Sequence, residues 1–103
     1  MILNYHTFYM NLISQILTEA IYHQDLVSSN LDSVWYNTKT EKLRVKFLSG
    51  GIYQYTDVPE EIYEELINAT SHGSFFYYNI AYSFPYKRIR KGKKIKKLNS
   101  KKR

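Results

Sequence analysis

Apolar residues along this chain first recur at helical spacing and then switch to alternation. Tyr5, Phe8, Tyr9, Leu12, Ile13, Ile16, Leu17, Ala20 and Ile21 follow an i, i+3, i+4 pattern, with Asn11, Ser14, Gln15 and Glu19 on the opposite face. That spacing predicts an amphipathic helix over 5–22. Its stripe calls for a partner, either its own domain or a second copy of the chain. From Gln24 the period changes. Val34-Trp35-Tyr36 precede a polar turn at 37–41, and Leu43, Val45 and Phe47 then alternate with Arg44 and Lys46. This is the two-residue period of a strand. Ser49-Gly50-Gly51 is a hairpin signal, and Ile52 to Tyr55 is the return strand. The expectation is a three-stranded antiparallel meander around 34–36, 42–48 and 52–56.

A second helix is announced by Asp57-Val58-Pro59-Glu60: an acidic cap candidate, a proline suited to the first turn, and Glu60 and Glu61 at the positive end of the dipole. Ile62, Tyr63, Leu66 and Ile67 form its buried stripe, and Ser71-His72-Gly73 supplies a glycine stop. The aromatic run "SFFYYNIAYSFPY", 74–86, is expected to be half-ordered and to lie across the helix or a sheet edge. So much exposed aromatic surface would otherwise promote aggregation. After Tyr86 the only large aliphatics are Ile89, Ile95 and Leu98. A disordered basic tail is the expectation there.

The hairpin turn decides which way Tyr53 and Tyr55 face. A two-residue loop puts Arg44, Lys46, Leu48, Tyr53 and Tyr55 on one sheet surface, basic and aromatic, suited to stacking single-stranded RNA. A three-residue loop with a glycine bulge flips the parity. Tyr53 and Tyr55 then join Leu43, Val45 and Phe47 in the core, while Arg44, Lys46, Ile52 and Gln54 face out. The residues favour the second arrangement. Gln54 is an awkward core residue, tyrosines bury well once their hydroxyls are satisfied, and two glycines are at hand for the loop's left-handed position.

Charge changes the picture. The chain has 103 residues, 15 Lys and Arg against 9 Asp and Glu, and a net charge of +6. Eleven of those cations lie in "KRIRKGKKIKKLNSKKR", 87–103, which has no acid, so residues 1–86 carry a net −5. The high pI describes a tail and not a basic globule. The organisation expected is an N-terminal helix over 1–24, a folded domain over 25–86 and a basic tail over 87–103. Without cysteine the chain has no disulfides or thiolate metal sites, which fits a reducing cytoplasm. There is no run long and apolar enough to span a bilayer. The first twenty residues lack both the basic start and the continuous apolar centre of a signal peptide.

The segment "LVSSNLDSVWYN…LRVKFLSGGIYQYTDVPEEIYEELINATSHGSFFYYNI…FPYKRI" resembles the KTSC domain. This short module takes its name from the C-terminus of some lysyl-tRNA synthetases and also occurs as a stand-alone protein in bacteria and phages. The resemblance covers 26–89. It is carried by Val27-Ser28-Ser29, Tyr36, Leu43, Val45, Phe47, Gly50, Tyr53-x-Tyr55, Val58-Pro59, Tyr63, Ala69, Ser71, Gly73, Phe76, Ile80, Pro85 and Arg88. It implies RNA as a ligand class through the synthetase context. Three positions depart from the family's usual residues: Trp35 stands for a glycine, Tyr77 for an asparagine and Ala81 for an arginine, which removes one contact to phosphate or carboxylate.

Catalytic constellations are missing from the sequence. His6, His23 and His72 fall in three different elements, and Ser71-His72 are neighbours with no obvious acid partner. The only Gly-Gly is in a hairpin, not before a helix. Glu60, Glu61, Glu64 and Glu65 read as a solvated helix face, and Ser28-Ser29 as a turn or cap. The sequence therefore points to a non-enzymatic, cytoplasmic α+β domain without metal or cofactor that binds RNA or another polyanion. Phosphate contacts are expected from Lys87, Arg88, Arg90, Lys91, Lys93, Lys94, Lys96 and Lys97. Tyr53 and Tyr55, with Arg44 and Lys46, are the candidate contacts on the sheet only if the loop has two residues. The alternative is a protein-interaction module, such as a phage or mobile-element adaptor. In that case the N-terminal stripe and "FFYYNIAYSF" meet a partner or a second copy, and the tail only solubilises.

Overall fold

A computed structural model describes residues 20–93. Among these residues five strands run: β1 (Ile21–Asp25), β2 (Leu31–Asn37), β3 (Lys42–Phe47), β4 (Ile52–Tyr55) and β5 (Tyr86–Arg90). They form one antiparallel sheet in the order β1-β2-β3-β4-β5. Two helices, α1 (Glu60–Asn68) and α2 (His72–Asn79), fill the connection between β4 and β5.

The sheet has five strands where the alternation pattern predicts three. Ile21 and Tyr22, expected at the end of the N-terminal helix, belong to β1 and pair with Asn37 and Tyr36. The rest of that expected helix, through residue 19, lies outside the described residues. The basic segment begins not as tail but as strand β5, paired with β4. Its positions from 94 onward also lie outside the described residues.

At the hairpin the three-residue loop is the one formed. Leu43 pairs with Tyr55, Arg44 with Gln54 and Val45 with Tyr53. Phe47 N–H donates to Gly51 O at 2.9 Å, and Gly50 N–H to Phe47 O at 2.8 Å. Gly50 takes φ +93°, a conformation that side chains with a Cβ resist. Tyr53 and Tyr55 therefore face the helices beside Val34, Tyr36, Leu43 and Val45.

The core lies between that sheet face and the two helices. Leu31, Val34, Tyr36, Leu43, Val45 and Tyr55 meet Val58, Tyr63, Leu66, Phe76 and Ile80. Tyr36 is buried, and its hydroxyl donates to Val58 O at 2.6 Å. Tyr63 from α1 stacks between Tyr36 (5.0 Å) and Tyr22 (5.7 Å). Phe76 from α2 packs edge-on against Phe47 and Tyr55.

Both helix starts differ from the sequence pattern or refine it. Asp57 does not cap α1: it sits at φ +63°, and Pro59 occupies the cap position without a side-chain bond. Val58 N–H is instead held by Glu41 O at 3.0 Å. The aromatic run is more ordered than expected, because Ser71 caps α2 by accepting from Ser74 N–H. No helix among the described residues is long and apolar enough to cross a membrane.

Candidate nucleic-acid interface

Among the described residues, the second face of the sheet carries no helix. Parity along the strands sends His23, Trp35, Arg44, Gln54 and Lys87 to it, and register sets them side by side. His23 pairs with Trp35, Trp35 with Arg44, Arg44 with Gln54, and Gln54 with Lys87. One row thus crosses all five strands. A second row, Lys46–Ile52–Arg90, runs beside it.

Within the first row the side chains organise one another. The His23 and Trp35 rings stack with centroids 4.6 Å apart and planes 14° off parallel. Arg44 Nε–H donates to Gln54 Oε1 at 2.9 Å. Gln54 is only 8% exposed although it lies outside the helix-side core. Trp35, Arg44, Gln54 and Lys87 line a concavity of about 680 Å³ together with Ile21, Asn37, Thr40, Lys42 and Ile52. Its lining combines apolar side chains with cations, amides and a hydroxyl.

The fold also separates charge that the sequence only sums. Glu60, Glu61, Glu64 and Glu65 all belong to α1, on the covered side of the sheet. Their field reaches β1: the charge of Glu60 and its hydrogen bond hold the Tyr22 phenol above its ordinary value. On the open side Lys42, Arg44 and Lys87 face the concavity. Asp25 lies 3.4 Å from His23, and Asp32 lies 3.9 Å from Lys46. The net −5 of residues 1–86 thus hides a basic sheet face backed by an acidic helix.

The structure sorts the residues singled out in the sequence. Arg44 and Lys87 meet in the main row, and Lys46 and Arg90 in the second. Arg90 Nε–H donates to Gly50 O at 2.9 Å and ties β5 to the hairpin. Lys91 and Lys93 line a hollow at the hairpin tip with Lys46 and Arg90. Arg88 pairs with Tyr53 and shares the parity of the covered face, though it is exposed at the edge strand. Lys94, Lys96 and Lys97 lie outside the described residues. Tyr53 and Tyr55 leave the candidate surface, because their condition, a two-residue loop, is not met. Tyr55 is 3% exposed, and burial pushes its phenol up to about 12.

Trp35, His23 and Gln54 were not among the sequence candidates. A signal existed for Trp35: Val34 and Tyr36 alternate inward around it, so the indole faces out. His72 sits at the helix end with its Nδ1 2.8 Å from Leu66 O. Ser28 Oγ accepts from Asn30 and Leu31 N–H, the turn its sequence suggested.

The comparisons agree with this architecture. The KTSC domain model matches residues 27–84. A lysine–tRNA ligase of Trichormus variabilis is 39% identical over 54 residues, which are 52% of this chain and 10% of the ligase. The chain thus spans about a tenth of the length of that synthetase. A protein of Stutzerimonas stutzeri is 41% identical over 51 residues, 50% of this chain and 72% of that protein. The crystal structure of a KTSC domain protein from Yersinia pestis superposes with a TM-score of 0.65 at 32% identity, covering 69% of this chain and all of that one. The family model that matches is that of a small module. With the match spanning β2, β3, β4 and both helices, the chain belongs to the KTSC domain family.

Proposed function

We propose that this chain is a non-enzymatic binder of single-stranded nucleic acid, RNA foremost, and that the open sheet face is its binding surface. The observation that carries the reading is the row His23–Trp35–Arg44–Gln54–Lys87, in which an indole and two cations share a face that the helices do not cover. Single strands are held by aromatic planes for bases together with a cationic track for phosphates. Here Trp35 is the plane, and Lys42, Arg44, Lys46, Lys87 and Arg90 form the track. Lys91 and Lys93 continue it, and Lys94, Lys96 and Lys97 add sequence-independent charge. Relatives that are lysine–tRNA ligases keep company with RNA, which fits the reading.

The test is fluorescence anisotropy of labelled single-stranded RNA with the intact chain, Trp35→Ala and a chain ending at Lys93. The reading expects the shortened chain to bind, more weakly, and Trp35→Ala to lose much of what remains while staying folded. Binding that disappears altogether with residues 94–103 reduces the function to tail charge.

A second reading draws on a separate observation. Tyr77, Tyr78 and Tyr82 are 55%, 77% and 78% exposed, and the Tyr77 ring lies edge-on to both of the others. Such a cluster suits a protein partner. An adaptor keeps that partner when Trp35 and the tail are removed; a nucleic-acid binder loses its ligand.

A further inference from the structure

We infer that the open face selects guanine, reading its O6 and N7 edge through Arg44 while the base lies against Trp35. The inference rests on the nucleic-acid reading of this face and adds base identity to it.

The Arg44–Gln54 bond fixes what the site can recognise. Arg44 Nε–H can only donate, so the atom 2.9 Å from it must be the amide oxygen of Gln54. The Gln54 Nε2 group is then left with its two donors. Both Nη groups of Arg44 and the Lys87 ammonium have no acceptor among the described residues, and all three residues line the same concavity. Apart from the second lone pair of Gln54 Oε1, the polar groups that these three residues offer around Trp35 are donors. Gln54 also locks the guanidinium plane, so the fork is set before a ligand arrives and less side-chain entropy is lost on binding.

A donor-rich site discriminates among bases by simple pairing. Guanine presents two adjacent acceptors, N7 and O6, the edge that an arginine fork meets with two parallel bonds. Adenine replaces O6 with an amino group and cytosine presents an amino group at N4, so each sets donor against donor. Uracil offers an isolated acceptor, O4, on the corresponding edge. In a single strand these edges are free for contact, unlike those in the deep groove of an RNA duplex.

The experiment uses the full chain and labelled RNA oligomers of about ten nucleotides, within the usual footprint of such surfaces. All are uridine except for one central guanosine, adenosine, inosine or 7-deazaguanosine. Inosine keeps O6 and N7, and 7-deazaguanosine loses N7. The expectation is equal affinity for guanosine and inosine, with adenosine and 7-deazaguanosine weaker on the order of ten-fold. Arg44→Lys replaces the fork with a point charge at an exposed position and should bring the guanosine and adenosine affinities together, with the fold checked by circular dichroism. Equal affinities in the unsubstituted chain overturn the inference and leave the nucleic-acid reading standing on phosphates alone. A guanosine preference that survives Arg44→Lys removes Arg44 from the role. No binding to any oligomer at low salt sinks both.

Discussion

Arg44 and Gln54 face one another across β3 and β4, joined Nε–H to Oε1 at 2.9 Å on the side of the sheet that the helices leave open. The same pairing sends their neighbours Val45 and Tyr53, and Leu43 and Tyr55, to the covered side. One hairpin register therefore makes two surfaces of different chemistry. The tyrosines hold the helices, while the arginine and glutamine remain for a ligand.

Substitution on the two sides should separate folding from binding. Trp35→Ala removes a stacking plane worth about 1–3 kcal/mol per base in single-strand complexes, so RNA affinity should fall roughly ten-fold. Its cost in stability should be small, about 1 kcal/mol for the lost His23 stack. Tyr55→Ala should do the reverse, costing about 3–5 kcal/mol through the cavity it leaves beside Phe76. Urea melts alongside anisotropy check both; a Trp35→Ala chain that binds RNA unchanged removes the indole from the surface.

Tyr36→Phe tests how the α1 entry is held. The Tyr36 hydroxyl donates to Val58 O at 2.6 Å in a buried setting, and Val58 is itself fully buried. Deleting the hydroxyl leaves that carbonyl without this donor, at a cost of about 1–3 kcal/mol. Equilibrium urea unfolding should show a lower midpoint with an unchanged slope.

The parts of this fold that bury one strand face were legible in the sequence, and the edges were not. Strands β2, β3 and β4 alternate because one side packs on helices, so Val34, Tyr36, Leu43, Val45 and Tyr55 announce them. The edge strands β1 and β5 are exposed at every position and need no such alternation. Ile21 continued the apparent helical stripe, and "YKRIR" looked like the start of a charged tail. Charge on an edge strand is a common guard against further pairing, so the cations that suggested disorder are compatible with strand β5. Gln54 is poor in an apolar core, and it lies outside that core, buried against Arg44 on the opposite face. Trp35 alternates with the buried Val34 and Tyr36, and that alternation is the sequence signal for its place on the open face.

Alkali should unfold this protein through its buried phenols. Burial first, with smaller contributions from nearby acids for one and from neighbouring tyrosines for the other, pushes Tyr36 and Tyr55 each up to about 12 from 10.0. Burial raises Tyr63 as well. A phenol with a raised native pKa keeps its proton when the unfolded chain has lost it. For Tyr36 and Tyr55 that contribution is therefore complete below pH 10 and is lost as pH climbs toward 12. Stability measured by urea at stepped pH should hold steady to about pH 10 and then drop. The drop should be shallower in Tyr55→Phe, and an equal slope in that variant would exclude Tyr55 as a source.

Shortening the chain should lower the salt dependence of RNA binding without opening the sheet. Lys93 N–H donates to Ser49 O at 2.9 Å, and Arg90 is tied to Gly50, so a chain ending at Lys93 keeps β5 and its anchor on the hairpin. An earlier cut, after Tyr86, would strip the strand that closes the β4 edge and confuse unfolding with lost charge. Residues 94–103 carry six cations. Each single-strand phosphate neutralised contributes about 0.7 to the slope of log affinity against log salt. Removing them should flatten that slope by up to about 4, while the preference for one base over another stays where it was, because phosphate contacts carry no sequence information. Anisotropy titrations at several salt concentrations measure both quantities together. A slope that does not change places residues 94–103 off the nucleic acid and leaves the cations of the sheet face to hold it.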